Sequence, residues 1–332
     1  MSRNVCITSV EGNTGFVIAE LLLSDENFSK AVSSVSGLTL NPSAERCKDL
    51  TELGATIVSH QPGRVKNVAS SIKGTNADTV CVIPPASKHK IDVTAELIEA
   101  AKMADVPNIV FLSAAGCDLA ERDRQPRLRE FIDLEALFMG VKGDASSRTG
   151  ECPVIIRAGF YAENLLSYAH QAKEEGALPL PIGQQHKFAP VALGDVALLA
   201  AHVLSGKGSH GLDDKHRGQL MTITGPILLN GPELAKAASE ALKADMKFED
   251  ISDREAKEVL RKHTESDDTE IQFLVEYYSL VREGKTNYVA TTAFRDVTMG
   301  EEPQKPHEFF KIYGEEFTPN KKGAKRRKVD GK

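Results

Sequence analysis

The sequence predicts an α/β fold, a Rossmann-type doubly wound parallel sheet with a smaller, mostly helical C-terminal lobe. Three observations predict it. Short apolar runs rich in β-branched residues alternate with stretches of helical periodicity through residues 1–158. A glycine-bearing turn joins the first run to the first helical stretch. Beyond Ala158 the alternation weakens and helical stretches dominate.

The expected strands are Asn4 to Ser9, Val35 to Leu40, Ala55 to Ser59, Thr79 to Ile83, Asn108 to Ser113 and Val154 to Ala158. The expected helices between them are Gly15 to Leu23, Ala44 to Leu53, Val65 to Ile72, Ile91 to Ala104 and Arg127 to Met139. Strands separated by helices of this length need crossover connections, which are right-handed and put helices on both faces of a parallel sheet. The strand order 3-2-1-4-5-6 follows as the expectation. In the second part, helices are expected over Pro232 to Leu242, Asp253 to Arg261 and Thr269 to Glu283, with short strands near Met221 to Thr224 and Phe248 to Ile251. The expected organisation is a core over 1–158, to which segments near 186–204 and 220–226 return. A lobe over 159–318 and a disordered basic tail over 319–332 complete it.

Composition limits the function classes. At 41% apolar residues the chain suits a globular protein. No apolar run approaches the roughly 20 residues that span a bilayer, and the first residues lack a signal-peptide core. The expectation is a soluble, unexported protein of the cytoplasm or nucleus. Cys6, Cys47, Cys81, Cys117 and Cys152 are odd in number and form no C-x-x-C pair, which argues against a disulfide framework or a zinc site. Cys6 and Cys81 lie in apolar runs and read as buried small hydrophobes. The histidines show no metal spacing, so no metal site is expected. Residues 321 to 332 carry a net charge of +6 within a chain of −6, leaving −12 on the rest. An acidic body repels phosphate backbones, so direct nucleic-acid binding by the folded part is not expected. The run Lys321 to Lys328 reads either as a nuclear localisation signal or as a solvated terminus.

The turn Ser9-Val10-Glu11-Gly12-Asn13-Thr14-Gly15 sits where such a sheet binds a dinucleotide. Small residues admit the pyrophosphate, and the helix N-terminus receives its charge. Ser9 replaces the first glycine of a G-x-x-G-x-x-G pattern, a departure tolerable with a negative φ. Glu11 would weaken phosphate binding unless it points away. Tyr277 and Tyr278, with Phe273 and Leu274, fall at helical spacing and read as core.

Separated segments resemble the NmrA-like group of atypical short-chain dehydrogenases/reductases. They are Leu38-Thr39-Leu40-Asn41-Pro42, Leu112-Ser113-Ala114-Ala115-Gly116, Ile156 to Leu165, Leu178-Pro179-Leu180-Pro181, Pro190 to Ala197, Thr224-Gly225-Pro226 and Gly231 to Leu234. The resemblance implies NADP or NAD at the carboxyl edge of the sheet. It implies contacts from Ser9, Glu11, Gly12, Asn13, Thr14, Gly15, Asn41, Pro84, Ser113, Phe160 and Asn164. Many relatives carry an Arg where Leu40 stands, pairing with the 2′-phosphate of NADP, and leucine offers no such contact. Strand 2 does not end in the acid that reads the NAD ribose either, so the choice between the two stays open.

Typical short-chain dehydrogenases use Tyr with Lys four residues on, and a Ser that polarises the substrate oxygen. None of the six tyrosines has Lys at that distance. Where the pair is expected the sequence reads Phe131-Ile132-Asp133-Leu134-Glu135. Ser113 remains as the candidate Ser and Tyr161 as the candidate acid. Two readings follow. The first is a non-catalytic regulator that senses a dinucleotide and acts through a protein partner, with roles in redox sensing and transcriptional regulation. The second is an NAD(P)H-dependent reductase, or a related enzyme of small-molecule metabolism, that lacks the usual pair. A scaffold that has lost its cofactor is a third.

Overall fold

A computed structural model describes residues 3–140, 153–206, 212–213, 215–264 and 266–320. The expected disordered basic tail therefore lies almost wholly outside the described residues, as does Cys152. Seven strands form one parallel sheet. The chain runs β1 (Arg3–Thr8), α1 (Asn13–Ser24), α2 (Glu26–Ser29), β2 (Val32–Thr39), α3 (Glu45–Glu52), β3 (Thr56–Ser59), α4 (Val65–Gly74) and β4 (Thr79–Val82). Next come α5 (Lys90–Met103), β5 (Asn108–Ala114), α6 (Pro126–Gly140) and β6 (Pro153–Ala158), then a 3-10 helix over Ala162–Tyr168, α7 (Ala169–Glu175) and β7 (Ala177–Leu180). The remainder is α8 (Leu193–Leu204), β8 (Leu220–Ile223), α9 (Gly231–Leu242), β9 (Lys247–Asp250), α10 (Asp253–His263), α11 (Asp268–Arg282), α12 (Thr292–Val297), α13 (Pro306–Ile312) and α14 (Gly314–Phe317).

The spatial order is β3-β2-β1-β4-β5-β6-β8, the expected order with β8 added beside β6. Central strands are buried on both faces; all seven residues of β5 are buried, which is why such strands read as continuous apolar runs. One face is covered by α1, α3, α8 and α12, whose Ile18, Leu50, Val196 and Phe294 share a core with Val5 and Ile7. The other carries α4, α5 and α6, and its core runs on without a break into the lobe through Leu178, Leu234, Leu260 and Phe310. β7 and β9 pair in a separate two-stranded parallel sheet. Among the described residues no helix is long and apolar enough to cross a membrane.

Two differences from expectation have physical causes. β2 begins at Val32 rather than Val35, because Ser34 hydrogen-bonds Asn4 across the pair (2.9 Å) and so carries polar residues into the ladder. The periodicity also missed α8, eight of whose twelve residues are buried. A helix enclosed nearly all round shows no amphipathic stripe. Cys6 and Cys81 are fully buried and free. Burial pushes the Cys6 thiol up to about 12, so it is a packing group at neutral pH.

Candidate functional site

The site begins at the end of β1, where Thr8 accepts from the Ile83 amide (2.8 Å) and ties β1 to the end of β4. Ser9 then turns the chain with φ +50°, against the expected negative value. Left-handed backbone costs a non-glycine residue about 1–2 kcal/mol. The Ser9 hydroxyl offsets part of this by donating to the Ile83 carbonyl at 2.9 Å. This turn is what the later glycines pack against. A Cβ at Gly15 would meet Ser9 O at 2.5 Å and Val10 Cα at 2.9 Å, and one at Gly12 would meet Ser9 O at 3.2 Å. No side chain caps α1, and its first turn holds no acidic residue, so its amides and dipole are left to an anion.

A cavity of ≈ 260 Å³ opens from this cradle along the carboxyl ends of β1, β4, β5 and β6. Ser9, Gly12, Asn13, Thr14, Gly15, Pro84, Ser113, Phe160, Tyr161 and Asn164 all line it. Two predicted contacts do not. Glu11 points to the tip of β2, where its Oε1 accepts from the Leu40 amide at 3.0 Å. Asn41, past that tip, is engaged by the Ser43 hydroxyl at 2.7 Å.

Ser113 is present but committed elsewhere. Its hydroxyl donates to Glu135 Oε1 at 2.5 Å. Glu135 is itself gripped by Arg157, with Nε on Oε1 at 2.8 Å and a terminal nitrogen on Oε2 at 2.7 Å. Arg157 also reaches Asp118 at 2.9 Å. In this arrangement the one Ser113 proton is given to a carboxylate and not turned to the cavity. Burial and the nearby Glu135 push the Cys117 thiol up to about 12.

Tyr161 lies across the cradle, its hydroxyl accepting from Thr14 at 3.3 Å. Burial pushes its phenol up to about 12, and among the described residues no ammonium is placed to lower it. That makes a poorer acid than free tyrosine.

The sequence reading missed Lys90. It opens α5, is 4% exposed, and faces the same cavity. Its ammonium lies 3.1 Å from Glu270 Oε1 on α11. It is flanked by the rings of Phe131 (4.9 Å) and Phe273 (4.8 Å), a cation held between two π faces. Burial raises the Glu270 carboxyl, and Lys90 opposes that. One residue before α11, Asp267 accepts from Thr269 and Glu270 amides and from the Lys88 amide (2.9 Å), pinning α11 to the loop before α5. Phe273, Leu274 and Tyr277 wall the cavity, while Tyr278 is core. The helical spacing was legible; the face turned to the cavity was not.

No protein-family model matches the chain. Over 217 residues it is 25% identical to an NAD(P)H azoreductase of Xenophilus azovorans, a match covering 65% of this chain and 69% of that one. Among solved structures it resembles an NADPH-dependent quinone oxidoreductase of Escherichia coli complexed with NADPH, with TM-score 0.74 and 20% identity over 93% of this chain and 99% of that one. It also resembles NmrA, a negative transcriptional regulator in complex with NADP, with TM-score 0.70 and 13% identity over 95% and 97%. The uncapped α1 terminus, the glycines that a Cβ would close and the reversal of strand order beside β1 agree with these likenesses, and the chain shares the Rossmann-type fold of these NADP(H)-bound structures.

Proposed function

We propose that the chain binds a nicotinamide dinucleotide in the Ser9–Gly15 cradle and reduces a flat, conjugated acceptor in the adjoining chamber. The observation that carries this reading is the continuity of one cavity from the glycine turn to a chamber walled by Phe131, Phe273, Leu274 and Tyr277 and holding the Lys90–Glu270 pair. A regulator that only senses a dinucleotide has no need of the second half. When bound, the reduced nicotinamide supplies a hydride. The chain's own part is to exclude water, to hold an aromatic plane against the rings, and to keep the Lys90 charge in the chamber, where an acceptor oxygen turning negative would be stabilised. Conjugated acceptors such as quinones and azo compounds delocalise the arriving electron pair. They depend less than a simple ketone on a labile phenol, which this site lacks. The azoreductase and quinone oxidoreductase likenesses support the same class.

The test is loss of reduced-nicotinamide absorbance in the presence of quinones, azo compounds and simple ketones. Turnover confined to the conjugated acceptors is expected. Dinucleotide binding without turnover on any of them would overturn the reading.

A second reading, a dinucleotide-responsive regulator with a protein partner, is favoured by the missing Tyr–Lys pair and by the basic run Lys321 to Lys328 on an otherwise acidic chain. It expects nuclear accumulation that is lost when residues 321–332 are deleted. Unchanged distribution after deletion would count against it.

A further inference from the structure

Glu11 leaves the phosphate cradle for a definite place. The cradle turn is packed tightly on β2: the Val10 amide donates to the Leu38 carbonyl (3.2 Å), and a Cβ at Gly37 would lie 2.6 Å from Val10 Cγ1. That closeness carries the Glu11 carboxylate to the tip of β2. Its Oε1 takes the Leu40 amide, and its Oε2 is buried without a hydrogen-bond partner. His60, at the neighbouring tip of β3, is also buried, with an unpartnered Nδ1. A buried carboxylate oxygen left without a donor costs free energy.

In a Rossmann sheet the tip of β2 receives the adenosine ribose, and an acid there accepts from the ribose hydroxyls. β2 of this chain ends in Thr39, with Leu40 just past it, and these supply neither an acid for a diol nor a cation for a phosphate. We propose that Glu11 is the ribose-reading acid, supplied by the β1–α1 turn instead of by β2, and that the site selects NAD(H) over NADP(H). A 2′-phosphate would bring roughly two negative charges against this carboxylate, whereas a 2′-hydroxyl can donate to it. One cation close by is Arg46. It lies over the Phe16 ring (5.5 Å to the centroid) and donates to the Glu11 carbonyl at 3.3 Å, so its charge is drawn to the backbone side of Glu11. The inference rests on the dinucleotide reading of the cradle and sharpens it.

The experiment is equilibrium titration of the full chain with NADH and NADPH, read by ligand fluorescence and calorimetry and independent of turnover. Wild type is expected to bind NADH at least about tenfold tighter. Glu11→Gln keeps an acceptor for the Leu40 amide and removes the charge. It is expected to raise NADPH affinity about tenfold while changing NADH affinity less than about threefold, ratios that a merely loosened turn would not give. Glu11→Thr with Leu40→Arg is expected to invert the preference, and Arg46→Ala to leave the wild-type preference standing. NADPH binding as tight as NADH in the wild type, or an unchanged ratio in Glu11→Gln, would overturn the inference alone. No binding of either dinucleotide would overturn the cradle reading and this inference with it.

Discussion

Lys90 and Glu270 meet 3.1 Å apart inside the cavity, one from the start of α5 and the other from the first turn of α11, and each is where the other needs a charge. Lys90→Met is expected to lower kcat/KM for a conjugated acceptor about 10- to 100-fold, equivalent to roughly 1.4–2.7 kcal/mol, with dinucleotide affinity unchanged. Steady-state kinetics beside direct titration checks this. Equal losses in both would place Lys90 in the general packing of the lobe.

The same variant has a pH signature. Removing Lys90 leaves a carboxylate that burial already raises, and burying it unpaired is expected to cost about 1–3 kcal/mol at pH 7.5. Because the folded-state value lies above the unfolded one, the stabilising form is the protonated one. Its contribution is full below the unfolded pKa and lost as pH rises through the folded pKa. The Tm deficit of Lys90→Met is therefore expected to shrink as the pH is lowered toward 4.5, and Lys90→Met/Glu270→Gln to recover most of it at pH 7.5. A deficit independent of pH would show that the lost cation–π packing, and not the charge, dominates.

The cradle makes a steric prediction. Gly15→Ala is expected to destabilise the fold by about 2–4 kcal/mol, because its Cβ would sit 2.5 Å from a backbone oxygen that cannot move without dragging β1. Ser9→Gly removes the left-handed strain and also the hydroxyl bond to Ile83, so thermal denaturation should place it within about 1 kcal/mol of wild type. Ser9→Ala loses the bond and keeps the strain, and is expected to fall about 1 kcal/mol below wild type.

How much of this was legible depended on the range of each interaction. The order of the first six strands follows from local periodicity and crossover handedness, and the glycine turn follows from residues adjacent in sequence. What eluded the sequence is contact across the fold. Lys90 stands in an ordinary amphipathic helix start, and only the folded chain brings Glu270 to it from 180 positions away. Ser113 looked available because Glu135 and Arg157 come from two later elements. The Ser9 turn shows the limit at short range: a propensity argues for negative φ, yet one hydroxyl bond to the next strand holds the other conformation.

Asp195 gives a prediction away from the site. It accepts from the Gln304 amide at 2.8 Å, and burial pushes its carboxyl up from 3.8 to about 6, with Glu163 adding to the rise. Native protein thus binds more protons than unfolded chain between those values, so this group's contribution to stability falls as pH rises from about 4 to about 6 and stays low above. Asp195→Asn can still accept from Gln304. It is expected to flatten that slope and to be more stable at pH 7.5 by about 1–3 kcal/mol. Denaturant melts across pH 4 to 8 check both, and parallel curves for variant and wild type would show that Asp195 is solvated enough to titrate normally.

The Ser113 triad separates a structural from a chemical role. If the Ser113 proton belongs to Glu135, Ser113→Ala should change turnover of a conjugated acceptor less than about threefold, where loss of a polarising group would cost 10²–10⁴-fold. Arg157→Met should do the opposite to the fold. Glu135 is 6% exposed, and without the guanidinium its carboxylate would be buried against only the Ser113 hydroxyl and the Cys117 thiol, at an expected cost of about 3–5 kcal/mol. Glu135→Gln in the Arg157→Met background should recover part of that by removing the buried charge. Large loss of turnover in a well-folded Ser113→Ala protein would mean that the hydroxyl leaves Glu135 during reaction and donates to the substrate oxygen.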